Sequence, residues 1–159
     1  MIDIIDLTYR KIKTQNLKVK EKFIKPWGGY FEYEESEIEN FLNINFGINH
    51  SVKFKNSKIL SVKTLIVLPF KKLSWQYHKR RKEIWKVNDG KVEVYLSNDD
   101  IQRESIFISS GDELYISKEQ RHRIIGTDVN SIISEIWIHT DKKLSDENDI
   151  VRLQDDYGR

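Results

Sequence analysis

Cysteine is absent from this sequence, and methionine occurs only once. Without cysteine the chain can form no disulfide and can offer no thiolate as a nucleophile or metal ligand. Long hydrophobic runs are also missing: the longest, residues 64–70, is far too short to cross a bilayer. The N-terminus carries acids where a secretory signal needs bases, and no small-residue cleavage site follows. We therefore expect a cytoplasmic protein with no membrane partner.

Charge of one sign is not in excess either. The sequence has 27 basic and 25 acidic residues, for a net charge of +2. One basic cluster, Lys79-Arg80-Arg81-Lys82, interrupts the alternation, but no stripe of bases extends beyond it, so nucleic-acid binding is not expected. With 38% hydrophobic and 33% charged residues, the 159 residues are typical of a single globular domain with its own core.

From residue 60 onward the sequence predicts a series of short strands, rich in Val, Ile, Trp and Tyr and alternating with period two. The strands cover residues 59–68, 74–78, 83–87, 91–96, 104–108, 113–116, 122–125 and 131–139. Turn sequences such as Asn88-Asp89-Gly90 and Ser109-Ser110-Gly111-Asp112 separate them. Since no helical crossovers intervene, the pattern predicts an all-β barrel or two-sheet jelly roll.

The chain on either side of these strands is less regular. Residues 1–24 are assigned to an N-terminal arm, and residues 25–60 to a Pro-Trp-Gly segment with an insert. Within this stretch we expect a strand at 30–34 and a helical segment at 35–46, with Ser36 as a candidate N-cap. His50 lies in the insert and is given no role. In the polar tail, residues 141–159, we expect Ser145-Asp146-Glu147 to open a short helix.

Four side chains form a candidate metal site. Gln76 and His78 are two apart on one predicted strand and therefore share a face, and Glu83 begins the next strand. His122 opens a later strand of the barrel. These residues offer an amide oxygen, a carboxylate and two imidazole nitrogens, a set suited to zinc, iron, manganese or nickel. The spacing alone also fits a hydrogen-bonded structural histidine and leaves that alternative open.

The sequence around these residues resembles the cupin superfamily. In the first cupin motif a His-x-His pair precedes a Glu that lies seven positions before a Gly, and Glu83 and Gly90 have this spacing. Residues 111–123 resemble the second cupin motif, with His122 in the metal-binding place. The resemblance implies a cupin-type β-barrel or jelly roll that holds a divalent metal.

Three segments are similar, more narrowly, to the cupin domain of type II phosphomannose isomerases. They are Lys25-Pro26-Trp27-Gly28, then Leu73-Ser74-Trp75-Gln76-Tyr77-His78 with Glu83-x-Trp85, and finally Asp149-Ile150-Val151-Arg152 with Asp156-Tyr157-Gly158-Arg159. That domain is often fused behind a mannose-1-phosphate guanylyltransferase. No such domain precedes the barrel in this sequence, so guanylyl transfer is not expected.

The sequence departs from the cupin motifs at two places. Arg80 stands where the second His of the His-x-His pair would be, so a three-His site cannot form. The isomerases use Gln, His, Glu and His, and all four residues are present. Ser117-Lys118-Glu119 replaces the usual Pro-x-Gly before the second-motif His, which changes the loop but not the ligand.

The resemblance implies an aldose–ketose isomerase that interconverts mannose 6-phosphate and fructose 6-phosphate through an enediol. Its metal, zinc foremost, would act as a Lewis acid on a sugar oxygen. Because a phosphate needs cations, Arg80 and Arg123 are candidates to bind it, with Arg81 or Lys79 on the opposite, solvated face. Arg159 corresponds to the terminal Arg of the family signature, which implies a catalytic tail folded over the pocket.

The general base is left open by the sequence. Glu135, Trp137 and His139 share one face of their strand, so Glu135 or His139 is a candidate to move the proton if that face is the interior. Trp27 and Tyr157 are kept as candidates to contact the sugar, although most Trp residues in small barrels belong to the core.

Two other functions remain open at this point. One is a cupin-type isomerase or epimerase of sugar nucleotides, which commonly works without metal, and the other is a non-catalytic sugar-binding or regulatory cupin. Small cupins often pair through edge strands, which implies a homodimer by analogy.

Overall fold

The computed structural model describes residues 3–47, residue 54 and residues 58–159; His50 and part of the insert lie outside these ranges. The described chain has two α-helices, α1 (Ile4–Thr14) and α2 (Ile38–Phe46). Its strands are β1 (Val19–Lys25), β2 (Gly28–Tyr33), β3 (Ile59–Val67), β4 (Trp75–His78), β5 (Arg81–Asp89), β6 (Lys91–Ser97), β7 (Ser105–Ser109), β8 (Glu113–Ile116), β9 (Arg121–Gly126), β10 (Ser131–His139) and β11 (Ile150–Gln154). Neither helix is long or apolar enough to span a membrane.

The strands form two antiparallel sheets, which confirms the all-β prediction. The first sheet has the order β1-β2-β3-β10-β5-β8 and the second has the order β11-β4-β9-β6-β7. The hairpin between β5 and β6 turns at Gly90, whose φ is +82°. A Cβ there would lie 2.3 Å from the carbonyl oxygen of Asn130, so this turn requires glycine.

Both faces of the first sheet are covered. One face packs against the two helices, where Ile5 and Ile12 of α1 meet strand residues such as Phe31, Ile84 and Ile136. The other face packs against the second sheet. Between the two sheets lies the second apolar cluster, formed by the buried side chains Trp27, Tyr30, Leu65, Val67, Trp85, Val87, Val92, Val94, Ile108, Ile116, Ile124 and Ile133. The candidate site lies at the end of this inter-sheet space.

The N-terminal segment, predicted only as an arm, folds as α1 and β1. Asp3 caps α1 by accepting a hydrogen bond from the N–H of Ile5 at 3.2 Å. The predicted helix at 35–46 is present as a 3₁₀ turn, Glu35–Glu37, followed by α2. The prediction of Ser36 as N-cap is wrong, because the 3₁₀ turn leads directly into α2. The residue before α2 is Glu37, already in the αR region and without a side-chain capping bond.

The C-terminal tail is ordered against the second sheet. The short helix expected at 145–147 is a 3₁₀ turn, Glu147–Asp149, and Asp146 caps it. Strand β11 follows, which the sequence did not predict, and it pairs with β4 so that Arg152 lies opposite Gln76. Asp149 fixes the start of this pairing, since its carboxylate accepts hydrogen bonds from the backbone N–H groups of Lys79 and Arg80. The tail therefore forms one wall of the site.

Candidate metal centre

Three of the four predicted metal ligands meet at one point. His78 ends β4, Glu83 lies on β5 and His122 lies on β9. One ligand atom from each lies within 4.8 Å of the others. Because β4 and β9 are neighbours in the second sheet and β5 belongs to the first, the site bridges the two sheets.

The ligand atoms converge closely. Nε2 of His78 is 3.2 Å from Nε2 of His122 and 3.0 Å from Oε1 of Glu83. Nε2 of His122 is 3.7 Å from Oε2 of the same carboxylate. All three side chains are at most 2% exposed. Two imidazoles and a carboxylate aimed at a common point are the donor set of a divalent transition metal.

The imidazole of His122 is prepared for coordination. Its Nδ1 lies 2.9 Å from the carbonyl oxygen of Gln120, so Nδ1 carries the proton and Nε2 keeps a free lone pair. Burial lowers the pKa of His122 to about 4, although the nearby charge of Glu83 opposes the shift. The ring is therefore neutral near pH 7, as a metal ligand must be. The residues present fit a divalent metal.

Two buried carboxyl groups whose pKa values are shifted in opposite directions both contact the indole N–H of Trp85. Burial acts to raise the pKa of Glu83, but the charges of His78 and Arg81 hold it well below its usual range. Burial, and next the charge of Glu83, raises the pKa of Glu135 to about 8. Nε1 of Trp85 lies 3.1 Å from Oε2 of Glu83 and 3.1 Å from Oε1 of Glu135. The indole thus fixes both carboxyl groups.

Gln76 lies beside this cluster. It faces His122 across the β4–β9 pair, and its Oε1 accepts a hydrogen bond from the hydroxyl of Ser74. Its side chain lines the adjoining cavity. Its role as a fourth ligand stays a prediction.

The cluster borders a cavity of about 560 Å³, counted with the space open to solvent at its mouth. Its walls carry five cations, three carboxyl groups and three large aromatic rings, together with smaller residues. These side chains are Lys25, Lys63, Arg81, Arg152, Arg159, Glu83, Glu135, Glu147, Trp27, Tyr30, Trp137, Leu65, Leu73, Ser74, Gln76 and Ile150.

Trp137 lies between two buried cations. Nζ of Lys63 is 3.7 Å from the centroid of the indole, and the guanidinium carbon of Arg81 is 3.5 Å from it. Lys63 also lies 4.6 Å from the ring of Tyr30 and bonds to Glu147 at 2.8 Å. Cations stacked on aromatic faces are held at fixed positions, so this wall of the cavity is both positive and ordered.

Arg80 and Arg81 do not lie where the sequence placed them. Arg81, expected on the solvated face, is 2% exposed and lines the cavity. Arg80, expected to bind phosphate, turns to the tail, where its guanidinium is 3.5 Å from the carboxylates of Asp146 and Asp149. The cause is that β5 begins at Arg81 and not at residue 83. Arg81 and Glu83 are therefore two apart on one strand and share its inner face.

Two further predicted residues hold the tail instead of lining the cavity. Arg123 is buried, and its guanidinium bonds to the carbonyl oxygen of Leu73 and to Asp156, both at 2.8 Å. The ring of Tyr157 packs against the second apolar cluster, and its hydroxyl lies 3.4 Å from the N–H of Lys72.

The other predicted residues divide between the cavity and its surroundings. Trp27, Glu135 and Arg159 line the cavity, whereas His139 does not. His139 is the last residue of β10, where it lies opposite Arg81, and its side chain is only partly buried. Its backbone N–H donates to the carbonyl oxygen of Lys58.

The sequence reasoning missed Lys63, Arg81 and Arg152 as cavity residues. Lys63 carried a usable signal, because it is the single charged residue of strand β3. Arg152 lies on β11, whose pairing with β4 is not visible in the sequence pattern.

The fold and the histidine–glutamate cluster together define a cupin-type domain. Residues 34–155 match the family model described as Mannose-6-phosphate isomerase C-terminal, and the chain belongs to this family. No curated protein matches the chain.

Solved structures share the fold at low sequence identity. The capsular polysaccharide assembling protein CapF of Staphylococcus aureus has a TM-score of 0.57 and 14% identity, covering 84% of this chain and 34% of its own. A point mutant of the Bacillus subtilis oxalate decarboxylase OxdC has a TM-score of 0.60 and 14% identity, covering 84% of this chain and 30% of its own. The chain thus spans about a third of these structures, and the likeness concerns the fold alone.

Proposed function

We propose that this domain is a metal-dependent aldose–ketose isomerase of a phosphorylated sugar, with mannose 6-phosphate and fructose 6-phosphate as its substrate pair. The observation that carries the proposal is the convergence of His78, Glu83 and His122 beside a cavity lined by basic and aromatic side chains. Membership of the mannose-6-phosphate isomerase C-terminal family supports the reaction class.

The ligand set in this proposal is His78, Glu83 and His122, with Gln76 as the fourth ligand. Three protein nitrogens and oxygens plus an amide leave room for a substrate oxygen, which suits zinc foremost and also iron, manganese or nickel. When bound, the ion supplies Lewis-acid stabilisation of negative charge on a sugar oxygen.

Glu135 is the residue that we assign to proton transfer. Of the three carboxyl groups in the cavity wall, Glu83 belongs to the ligand set and Glu147 is bonded to Lys63. The indole of Trp85 donates to Oε1 of Glu135, and the side chain lines the cavity. Its carboxylate would remove the proton from carbon 2 of the aldose and return it to carbon 1 of the enediol. A proton moves at the same time from the carbon 2 hydroxyl to the carbon 1 oxygen.

The phosphate of the sugar has a basic rim to bind to. Lys25, Arg152 and Arg159 line the cavity, and none of them is fully buried. Arg guanidinium groups bind phosphate oxygens in bidentate fashion, and the phosphate carries nearly two charges near neutral pH. Trp27 offers a flat apolar wall to the sugar between this rim and the ligand set.

Metal analysis together with a screen of sugar phosphates tests the proposal. We expect about one divalent ion per purified chain, interconversion of mannose 6-phosphate and fructose 6-phosphate, and loss of activity on chelation. Glu135→Gln should keep the metal and lose about 10²- to 10⁴-fold in turnover. Metal-replete protein that converts no hexose or heptose phosphate contradicts the isomerase. Thermal stabilisation by a sugar without conversion would instead favour a binding protein.

A further inference from the structure

Arg81 contacts two of the atoms that would bind the metal, one of Glu83 and one of His78. Its Nε donates to Oε1 of Glu83 at 2.8 Å, and its Nη2 is 3.3 Å from Nε2 of His78. The same Nε2 is 3.0 Å from Oε1 of Glu83 and 3.2 Å from Nε2 of His122, so the guanidinium lies against the ligand atoms as a positive charge. The side chain of Arg81 is 2% exposed, which means that water competes little for these contacts.

The contact with His78 is unfavourable for coordination. A divalent ion bound to Nε2 of His78 would lie beside a buried guanidinium whose Nη2 is 3.3 Å from the same atom, and like charges repel each other strongly away from water. Without a metal, Arg81 balances the charge of Glu83, since a carboxylate that is buried and unpaired is strongly destabilising. With a metal, the ion takes over that role.

We propose that Arg81 is a displaceable counter-cation of the metal centre, which metal binding turns from His78 toward the cavity to bind the anionic group of the ligand. The inference rests on the metal centre of the proposed function and adds that the anionic ligand regulates how tightly this centre binds its metal. It makes metal binding and anion binding cooperative.

The remaining contacts of Arg81 keep the released group beside the cavity. Its Nη1 donates to the hydroxyl of Ser145 at 2.9 Å and to the carbonyl oxygen of Asp146 at 3.3 Å. The guanidinium is also stacked on Trp137 at 3.5 Å, with Lys63 on the other face of that ring. When Nη2 leaves His78, the charge therefore stays in the cavity wall next to a second cation.

This arrangement predicts a measurable linkage in the unmodified protein. Zinc is titrated into the metal-free full chain by calorimetry, once in sodium chloride and once in sodium sulfate of equal ionic strength. Sulfate is the probe because it is a tetrahedral dianion that does not precipitate zinc. We expect sulfate to tighten zinc binding by about fivefold or more, and zinc to tighten sulfate binding by the same factor.

The Arg81→Met variant distinguishes an Arg81 that the metal displaces from one that merely positions Glu83. It keeps an apolar chain against Trp137 but removes the positive charge beside the ligand atoms, so we expect zinc to bind about tenfold more tightly. The sulfate linkage should disappear. Lys82→Met is the matched control, because Lys82 is exposed between the two inward residues of the same strand, and it should behave as the wild type.

The outcomes are distinct. Weaker or unchanged zinc binding in Arg81→Met overturns the inference, because a residue that merely positions Glu83 would strengthen coordination. The absence of a sulfate effect in the wild type overturns it as well and does not depend on any variant folding. Linkage without turnover on sugar phosphates supports the inference and removes the isomerase. A wild type that binds no zinc, manganese, iron or nickel removes both.

Discussion

The two faces of the six-stranded sheet carry different kinds of side chain, although strands β3, β5 and β10 contribute to both. On the face toward the helices, Val62, Ile84 and Ile136 belong to one apolar cluster with α1 and α2. On the face toward the second sheet, the preceding or following residue of each strand is charged and buried: Lys63, Glu83 and Glu135. Of two adjacent residues in one strand, one therefore belongs to the apolar core and the other to the candidate site.

This difference shows how the sheet tolerates a costly site. Buried charges contribute little net stability and are strongly destabilising when unpaired. The apolar side chains of the helix face supply burial that does not depend on the ligand, at about 25 cal/mol per Å². We therefore expect substitutions on the helix face to change stability and substitutions on the inner face to change binding.

The largest expected effect is on the helix face, at Phe41. Its side chain is 0% exposed, and its ring lies 4.9 Å from that of Tyr33 and 6.5 Å from that of Phe46. Phe41→Ala should lower the free energy of unfolding by about 3–5 kcal/mol, because it removes buried surface and leaves a cavity. Urea unfolding monitored by circular dichroism measures this loss.

The same variant probes the independence of the two faces. Below its unfolding transition, Phe41→Ala should bind zinc with the affinity of the wild type, since α2 contacts none of the ligand residues in the described clusters. A loss of zinc binding in the folded variant would show that the helix face also positions the site.

A sharper comparison uses two adjacent residues of β3. Val62 faces the helices and is 0% exposed, so Val62→Ala should cost about 2 kcal/mol of unfolding free energy and leave anion binding unchanged. Lys63 faces the cavity, and its partner Glu147 is 56% exposed. Lys63→Met should change stability by less than about 1 kcal/mol, because Glu147 is left in contact with water.

Binding should respond in the opposite order. Lys63→Met removes a cation from the cavity wall, so the Kd for sulfate or a sugar phosphate should rise about tenfold, while Val62→Ala should not change it. Calorimetric titration of both variants decides this. Equal effects of the two substitutions on anion binding would contradict the division of the sheet.

The sequence predicted the strands well because a half-buried strand has a readable period. Each of the eight strands expected after residue 58 overlaps an observed one, and the turn at Gly90 is where its motif indicated. The metal cluster was within reach for the same reason, since Gln76, His78 and Glu83 lie on strands whose parity is visible.

The cavity wall was less predictable because it depends on where strands begin and on which segments pair. Placing the start of β5 two residues late put Arg81 in a turn and reversed the expected faces of Arg80 and Arg81. Helix α1 was missed because only Ile5, Thr8 and Ile12 of its 11 residues are buried. The pairing of β11 with β4 is a long-range contact that local pattern does not encode.

A smaller loss of stability than at Phe41 is expected in the tail, which covers only the charged face of the sheet. Burial acts to raise the pKa of Asp149, but hydrogen bonds from Ser145 and from the backbone N–H groups of Arg80 and Lys79 hold it below the ordinary 3.8. A carboxyl group whose pKa is lowered by folding stabilises the fold above its unfolded pKa. That contribution is lost as the pH falls through the folded value.

Asp149→Asn should therefore cost about 1–2 kcal/mol at pH 7, the size of hydrogen bonds to a charged group, and progressively less below pH 3.8. Urea unfolding across this pH range measures the difference from the wild type, with the exposed Asp128→Asn as control. A difference that stays constant below pH 3.8 would contradict the role of the ionised carboxylate. Because Asp149 bonds the chain directly after His78, the folded variant should also bind zinc less tightly, which Phe41→Ala should not.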